Sequence, residues 1–144
     1  MKFIVLNILI FMSLITHAQT SDKTVNVFFE ALNQKNIAVI DSLTLDDLKL
    51  HSLQLQPKSN VSFSTKKEFQ EGLKAIPKNI NIEERIFDIE STVTEYLAQY
   101  TIPYEFYVNG ELSHSGINVL TLIKIDNRWL ISYIADTRKK AKTN

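Results

Sequence analysis

The sequence of 144 residues contains no cysteine. This absence excludes disulfide bonds, thiolate nucleophiles, cysteine metal sites and a lipid-modified cysteine. Glycine is scarce too, and the three glycines are scattered at Gly72, Gly110 and Gly116. A glycine-rich phosphate loop is therefore missing, and so is the G-x-S-x-G motif of a nucleophile elbow. Nucleotide-dependent chemistry and triad hydrolysis are disfavoured, and no cofactor is expected.

Neither sign of charge dominates, because 16 Lys and Arg side chains stand against 16 Asp and Glu. A nucleic-acid site would need a large basic face with stacking aromatic residues, so we expect no nucleic-acid partner. The single basic run is Arg138-Lys139-Lys140-Ala141-Lys142. We interpret residues 138–144 as a flexible, solvated tail, since chain ends are commonly frayed. The alternative interpretation is contact with phosphates or an anionic surface.

The first 18 residues have the pattern of a secretory signal peptide. Lys2 supplies the positive charge, residues 3–15 form an apolar run, and the small residues Thr16 and Ala18 precede the expected cleavage site. The alternative, an uncleaved membrane anchor, is disfavoured because a bilayer core requires about 20 apolar residues. We expect an exported protein, periplasmic or extracellular, with no membrane contact after cleavage. One domain over residues 19–137 would remain.

Apolar residues recur at helical spacing in the N-terminal half. They are Val25, Phe28, Phe29 and Leu32 in a first helix, and Ile37, Ile40 and Leu43 in a second. Ser21 or Asp22 is the predicted N-cap of the first helix, and Asn36 that of the second. Thr65 and Glu68 have the spacing of a capping box, which predicts a third short helix ending at Pro77. Residues 48–56 are predicted as a strand.

After Pro77 the sequence is rich in β-branched and aromatic residues, which predicts a sheet. The predicted strands cover residues 82–90, 92–108, 112–125 and 128–136. Asn109-Gly110 indicates a type I′ hairpin, Asp126-Asn127 a second turn, and Gly116 a bulge or bend inside its strand. Both faces of the last two strands are rich in Ile, Leu and Val. We therefore expect both faces to be covered, the convex one by a second copy of the chain in a homodimer.

Two segments resemble a known protein family. They are Phe28-Phe29-Glu30-Ala31-Leu32-Asn33 with the helix start at Asn36, and His114-Ser115-Gly116 followed by residues 120–131 with Trp129. This order of elements resembles the nuclear transport factor 2-like superfamily, which includes ketosteroid isomerases, scytalone dehydratase and polyketide cyclases. The resemblance covers roughly residues 21–140 and implies a secreted bacterial member. It implies an α+β fold whose N-terminal helices pack on a curved antiparallel sheet, forming a cone-shaped barrel with a pocket.

Candidate site residues are polar or aromatic side chains that would face such a pocket. Tyr96, Tyr100, Tyr104 and Trp129 are predicted to contact a ligand, the alternative being that they are simply core. Asp88 is a candidate catalytic base, because its apolar neighbours Phe87 and Ile89 would raise its pKa if it were buried. It is an ordinary surface aspartate if it points outward.

Histidine offers the remaining candidates in the exported chain. His114 is a second candidate catalytic residue, whereas His51 is interpreted as a packed or surface residue. The two histidines lack the local spacing of metal ligands, so no metal site is expected.

Three functions remain open at this point. The first is an exported domain that binds a small apolar ligand in its cone, without assured catalysis. The second is a non-enzymatic interaction or dimerisation module of the cell envelope. The third is an isomerase-like or dehydratase-like enzyme with Asp88 as the base and a tyrosine as hydrogen-bond donor.

Overall fold

The structure is a computed structural model that describes residues 19–141. The predicted signal peptide lies outside these residues and stays a prediction, as does export. Three helices and seven strands follow one another: α1 Ser21–Asn33, α2 Ile37–Leu43, β1 Thr44–Gln54, β2 Asn60–Thr65, α3 Lys66–Ala75, β3 Ile82–Ile86, β4 Glu90–Val93, β5 Leu97–Val108, β6 Glu111–Ile125 and β7 Arg128–Lys140. No helix among the described residues is long and apolar enough to cross a membrane.

Each helix begins at a side chain that accepts a backbone hydrogen bond, as N-terminal N–H groups require. Asn36 caps α2, and Thr65 with Glu68 forms the complete capping box of α3, which confirms both predictions. The cap of α1 is Thr20, whose hydroxyl accepts from the backbone N–H of Lys23. The prediction of Ser21 or Asp22 as this cap was wrong by one or two residues.

The fold is α+β. Its seven strands form one curved sheet in the order β2-β1-β7-β6-β5-β3, with β4 also paired to β5. The sheet is mixed rather than antiparallel, because β1 runs parallel to β7 while the other pairs are antiparallel. Two parallel strands must be joined by a long connection. Here the chain between β1 and β7 contains α3 and the other five strands. Its two ends do not meet, so the sheet is a half-open cone and not a closed barrel.

Two of the predicted strands are interrupted. Residues 82–90 break after Ile86, and Asp88 takes a positive φ of 49° in the turn that leads to β4. Residues 92–108 break again where the Thr94 hydroxyl and the backbone of Leu97 hydrogen-bond to each other. Aspartate and threonine favour such local turns. The β-rich composition continues through both turns and therefore hid them.

The ends of the sheet also differ from the prediction. β2 was not predicted: it has six residues, five of them exposed, and only Val61 and Phe63 alternate with its polar residues. β7 continues four residues beyond the predicted end at Asp136, since it pairs with the start of β6: His114 lies opposite Lys140. Interpretation of residues 138–140 as a flexible tail was therefore wrong, because these residues are part of a strand.

The predicted turns are confirmed. Asn109 and Gly110 have φ values of 51° and 83°, as a type I′ turn requires, and Asp126 and Asn127 have 48° and 60°. Gly116 lies where β6 passes very close to β7. A Cβ atom at this position would overlap the Thr137 carbonyl oxygen and come within 2.7 Å of its carbonyl carbon.

The helices pack on the inner face of the sheet and form the core with it. Buried side chains from both layers make one cluster: Val25, Phe28, Phe29 and Leu32 from α1, and Ala98, Tyr100, Ile102, Leu120, Leu122 and Ile131 from the strands. The outer face exposes apolar side chains, among them Val61, Phe63 and Ile117, which are 62, 52 and 45% exposed. The homodimer expected through this face stays a prediction.

Candidate functional site

A cavity of about 310 Å³ lies between the helices and the inner face of the sheet. Its helix wall is apolar and is formed by Phe28, Phe29, Leu32, Phe69, Leu73 and Ile76. The helices therefore do not fill the cone. Small-molecule sites in proteins have volumes of this order and larger and combine apolar walls with a few polar groups.

The polar groups of the cavity lie on its sheet wall, among apolar side chains. Four strands contribute inward polar side chains to it, namely Glu84 in β3, Asn118 in β6, Asp136 in β7 and Ser52 in β1. Tyr104 in β5 joins this row, while His114 and Arg138 lie at its edge. Alternate residues of a strand face the same side, so inward Ile82, Leu120 and Ile134 fix the orientation of their polar neighbours. The cavity thus has an apolar helix wall and a mixed sheet wall that carries its hydrogen-bonding side chains.

Glu84 is held in place at both its backbone and its carboxyl group. The side-chain amide of Asn33, at the end of α1, accepts from the Glu84 backbone N–H at 2.7 Å and donates to its carbonyl oxygen at 3.2 Å. The Asn118 amide donates to the Glu84 carboxyl group at 2.6 Å.

Burial raises the pKa of Glu84 to about 7. The hydrogen bond from Asn118 acts in the opposite direction, and the charges of Asp136 and Arg138 largely oppose each other. Burial has the larger effect because an ionised carboxylate loses its hydration. Near neutral pH this carboxyl group is therefore present in both its neutral and its ionised form.

Asp136 accepts hydrogen bonds from three side chains. They come from the Ser52 hydroxyl, the Tyr104 hydroxyl at 3.1 Å and Nε of Arg138 at 2.6 Å. The Tyr104 hydroxyl also lies 2.9 Å from the Thr137 carbonyl oxygen, so two acceptors compete for its single proton. Burial and the nearby carboxylates raise the pKa of Tyr104, which keeps the phenol neutral. This network ties β1, β5 and β7 together at the cavity wall.

His114 stands at the mouth of the cavity. Its ring stacks on Phe106 with 4.8 Å between centroids and meets the Tyr104 ring edge-on at 5.8 Å. Burial lowers the pKa of His114, and the positive charge of Arg138 lowers it further against the effect of Asp136. The imidazole is therefore neutral at physiological pH.

The four predicted ligand contacts are dispersed by the fold. Only Tyr104 lies in the cavity wall. Tyr100 is buried beneath the start of α1, where its hydroxyl meets Ser21 at 2.7 Å and Asp22 at 2.6 Å, and its pKa is raised to about 12 mainly by burial. Trp129 is in the core, and Tyr96 is 61% exposed in the turn before β5. Tyr96 and Tyr100 do not line the cavity, because β5 starts after Tyr96 and α1 covers Tyr100.

The two candidate catalytic residues, His114 and Asp88, lie in different parts of the structure. His114 lies in the cavity wall, and a catalytic role for it stays a prediction. Asp88 is exposed in the turn between β3 and β4, away from the cavity lining. Its neighbours Phe87 and Ile89 are themselves 41 and 44% exposed, so they do not bury it. The prediction of Asp88 as a buried catalytic base was therefore wrong.

Glu84, Asn118 and Asp136 were missed as site residues, although the sequence contains a signal for Glu84. Glu84 stands between Ile82 and Ile86 at positions of the same parity, and so shares their face of the strand. A polar residue in phase with buried apolar residues is directed into the interior, where it requires a partner.

The described residues include no group of three or more His, Cys, Asp or Glu side chains arranged to hold a metal ion.

Solved structures similar to this chain share its architecture. One is a nuclear transport factor 2-like protein from Cytophaga hutchinsonii, with 12% identity and a TM-score of 0.65 over 81% of this chain and 93% of the other. Another is a proposed dehydratase of the same superfamily from Streptomyces avermitilis, with 16% identity, a TM-score of 0.65 and coverage of 86% and 96%. A third is the β subunit of a proposed aromatic-ring-hydroxylating dioxygenase from Novosphingobium aromaticivorans, with 11% identity, a TM-score of 0.66 and coverage of 85% and 89%.

These similarities establish the fold class. The chain has the nuclear transport factor 2-like cone fold, as its sequence resemblance implied. No protein-family model and no curated protein matches the sequence. Since one fold serves many functions, function has to be argued from the cavity.

Proposed function

We propose that this chain is a binding domain for a small, largely apolar ligand that carries a polar group along one edge. The observation that supports it is the two-sided cavity of about 310 Å³, with aromatic and aliphatic side chains on the helix wall and hydrogen-bonding groups on the sheet wall. The apolar wall would provide affinity, and the polar wall would fix the orientation of the ligand. With the predicted signal peptide, binding would take place outside the cytoplasm.

Glu84 is the polar group best suited to meet such a ligand. Asp136 is already bonded to three side chains, whereas the Glu84 carboxyl group is bonded to Asn118. When neutral, a carboxylic acid donates one hydrogen bond, and when ionised it only accepts. Glu84 can therefore bind either an oxygen acceptor or an N–H or O–H donor of the ligand.

Filling the cavity is expected to weaken ligand binding. Gly72 of α3 lines the cavity, and a Cβ atom added there meets nothing within 4 Å. A Gly72→Leu side chain would occupy space that the ligand requires. We expect it to weaken binding of the neutral fluorophore N-phenyl-1-naphthylamine at least about tenfold, since such overlap costs 1.4 kcal/mol or more. Fluorescence titration of both proteins measures this.

Gly72→Ala is the matched control, because it also replaces the glycine by a residue with a Cβ atom but adds only a methyl group. It is expected to keep most of the affinity for the fluorophore. Equal affinity of the wild-type and Gly72→Leu proteins would show that the probe binds elsewhere and would remove the cavity from the proposal.

Acid–base catalysis on the bound ligand is a second candidate function. The observation that favours it is Glu84, whose pKa of about 7 is suited to both accepting and returning a proton near neutral pH. In this role Glu84 would remove a proton from a carbon next to a carbonyl group and return it two carbons further along. Glu84 thus takes the role of base that the sequence suggested for Asp88, which lies outside the cavity.

The test uses 3-cyclohexen-1-one, which such a proton transfer converts into its conjugated isomer. We expect the wild-type protein to accelerate the increase in ultraviolet absorbance, and Glu84→Gln to reduce that rate by at least about 100-fold, as expected for a general base. Glu83→Gln is the control, because Glu83 pairs with Arg85 outside the cavity. No acceleration by the wild-type protein would leave ligand binding as the function.

A further inference from the structure

A groove of about 540 Å³ lies next to the cavity. His114 and Arg138 line both the cavity and the groove, so the two adjoin at these residues. The groove continues past them to Lys140 and Ser113. A ligand seated in the cavity can therefore extend into the groove.

The alternation of β7 places the positive charges of the groove. Asp136, Arg138 and Lys140 have the same parity and face inward, while Lys139 between them faces the other side of the strand. Lys140 lies opposite His114 in the register of β6 and β7. The basic run of the sequence thus divides between two faces, and two of its cations reach the groove.

The charge of the groove is opposite to that deeper in the cavity. Within residues 19–141, the groove lining holds Arg138 and Lys140 and no carboxylate. Asp136 and Glu84 are the acidic groups near Arg138, and Asp136 accepts from its Nε at 2.6 Å. This bond leaves the two terminal nitrogens of the guanidinium group as donors, which can bind a carboxylate through two parallel bonds. Lys140 forms no ion pair within residues 19–141.

We propose that the cavity and the groove together bind one amphipathic carboxylate. Its apolar body lies against the aromatic helix wall, and its carboxylate lies in the groove between Arg138 and Lys140. This inference rests on the proposed binding function and adds the charge and the position of the head group. Such a ligand is complementary to the protein, because the apolar cavity adjoins a groove that carries positive charge.

The test compares decanoate with 1-decanol, which has the same chain length and an uncharged head group. Each displaces N-phenyl-1-naphthylamine from the wild-type protein if it binds in the cavity. We expect Lys140→Gln to weaken decanoate binding about three- to fivefold, the range for a partly exposed charge pair, and to leave 1-decanol binding unchanged. Added salt should weaken the binding of decanoate alone.

Lys139→Gln is the matched control, because it removes the same charge from the next residue on the opposite face. It is expected to change neither affinity. If 1-decanol binds and decanoate has the same affinity for the wild-type, Lys140→Gln and Lys139→Gln proteins, the carboxylate site is wrong while ligand binding in the cavity stands. If neither compound displaces the fluorophore, the proposed binding function fails and this inference fails with it.

Discussion

Two substitutions of glycine by alanine are expected to change stability in opposite directions. Gly116→Ala should lower the free energy of unfolding by at least about 3 kcal/mol, because a methyl group is forced against backbone atoms. Gly72→Ala should raise it by about 0.5–1 kcal/mol, since alanine is the better helix former and space is available. Urea unfolding of the two variants and the wild-type protein measures both changes.

The large effect at Gly116 follows from what surrounds it. The atoms that a Cβ would meet belong to the backbone of Thr137, so rotation of a side chain cannot relieve the overlap. Thr137 is held on two sides: its carbonyl oxygen lies 2.9 Å from the Tyr104 hydroxyl, and its own hydroxyl accepts from the Ile117 N–H at 3.0 Å. A movement of the Thr137 backbone that removed this overlap would break both hydrogen bonds at the cavity wall. Similar stabilities of Gly116→Ala and wild type would contradict this close approach.

Glu84 is expected to make stability depend on pH in the direction opposite to that of most carboxyl groups. Its pKa is about 7 in the folded protein and near the ordinary 4.5 in the unfolded chain, so the folded state binds more protons between these values. Stability attributable to Glu84 is therefore fully present below about pH 4.5 and is lost as the pH rises through 7. The loss amounts to as much as about 3 kcal/mol, at 1.36 kcal/mol for each pKa unit.

Glu84→Gln should remove this dependence, because glutamine keeps an oxygen acceptor for Asn118 but never ionises. The variant is expected to match the wild-type protein near pH 4 and to be more stable by up to about 3 kcal/mol at pH 8. Glu83→Gln provides the control, since the Arg85 side chain lowers the pKa of Glu83 and ionisation there is favourable. A difference between Glu84→Gln and wild type that is the same at pH 4 and pH 8 would show that Glu84 titrates normally.

Local features of the sequence were predicted well because each depends on a few neighbouring residues. Thr65 with Glu68 and Asn109 with Gly110 determine a helix start and a hairpin through their own hydrogen bonds and backbone preferences. The turn at Asp88 was missed for the complementary reason: composition continues unchanged through it, and only the pairing with β5 shows where the strand stops.

The site was predicted less well because it depends on register between distant strands. Tyr100 and Tyr104 have the same parity and the same chemistry, yet α1 covers one and leaves the other in the cavity wall. Asn118 meets Glu84 across 34 positions of sequence, which no local pattern encodes. Parity alone would have directed Glu84 inward, but its partners follow only from the order of the strands.

The amide of Asn33 has a consequence for association between molecules. β3 lies at one end of the sheet, where a strand normally exposes unpaired N–H and C=O groups that can recruit another chain. Asn33 occupies both of these groups at Glu84 and so acts as a one-residue substitute for the missing neighbour strand. The same two bonds that orient the buried acid therefore also occupy, at Glu84, the backbone groups with which a strand of another molecule would pair.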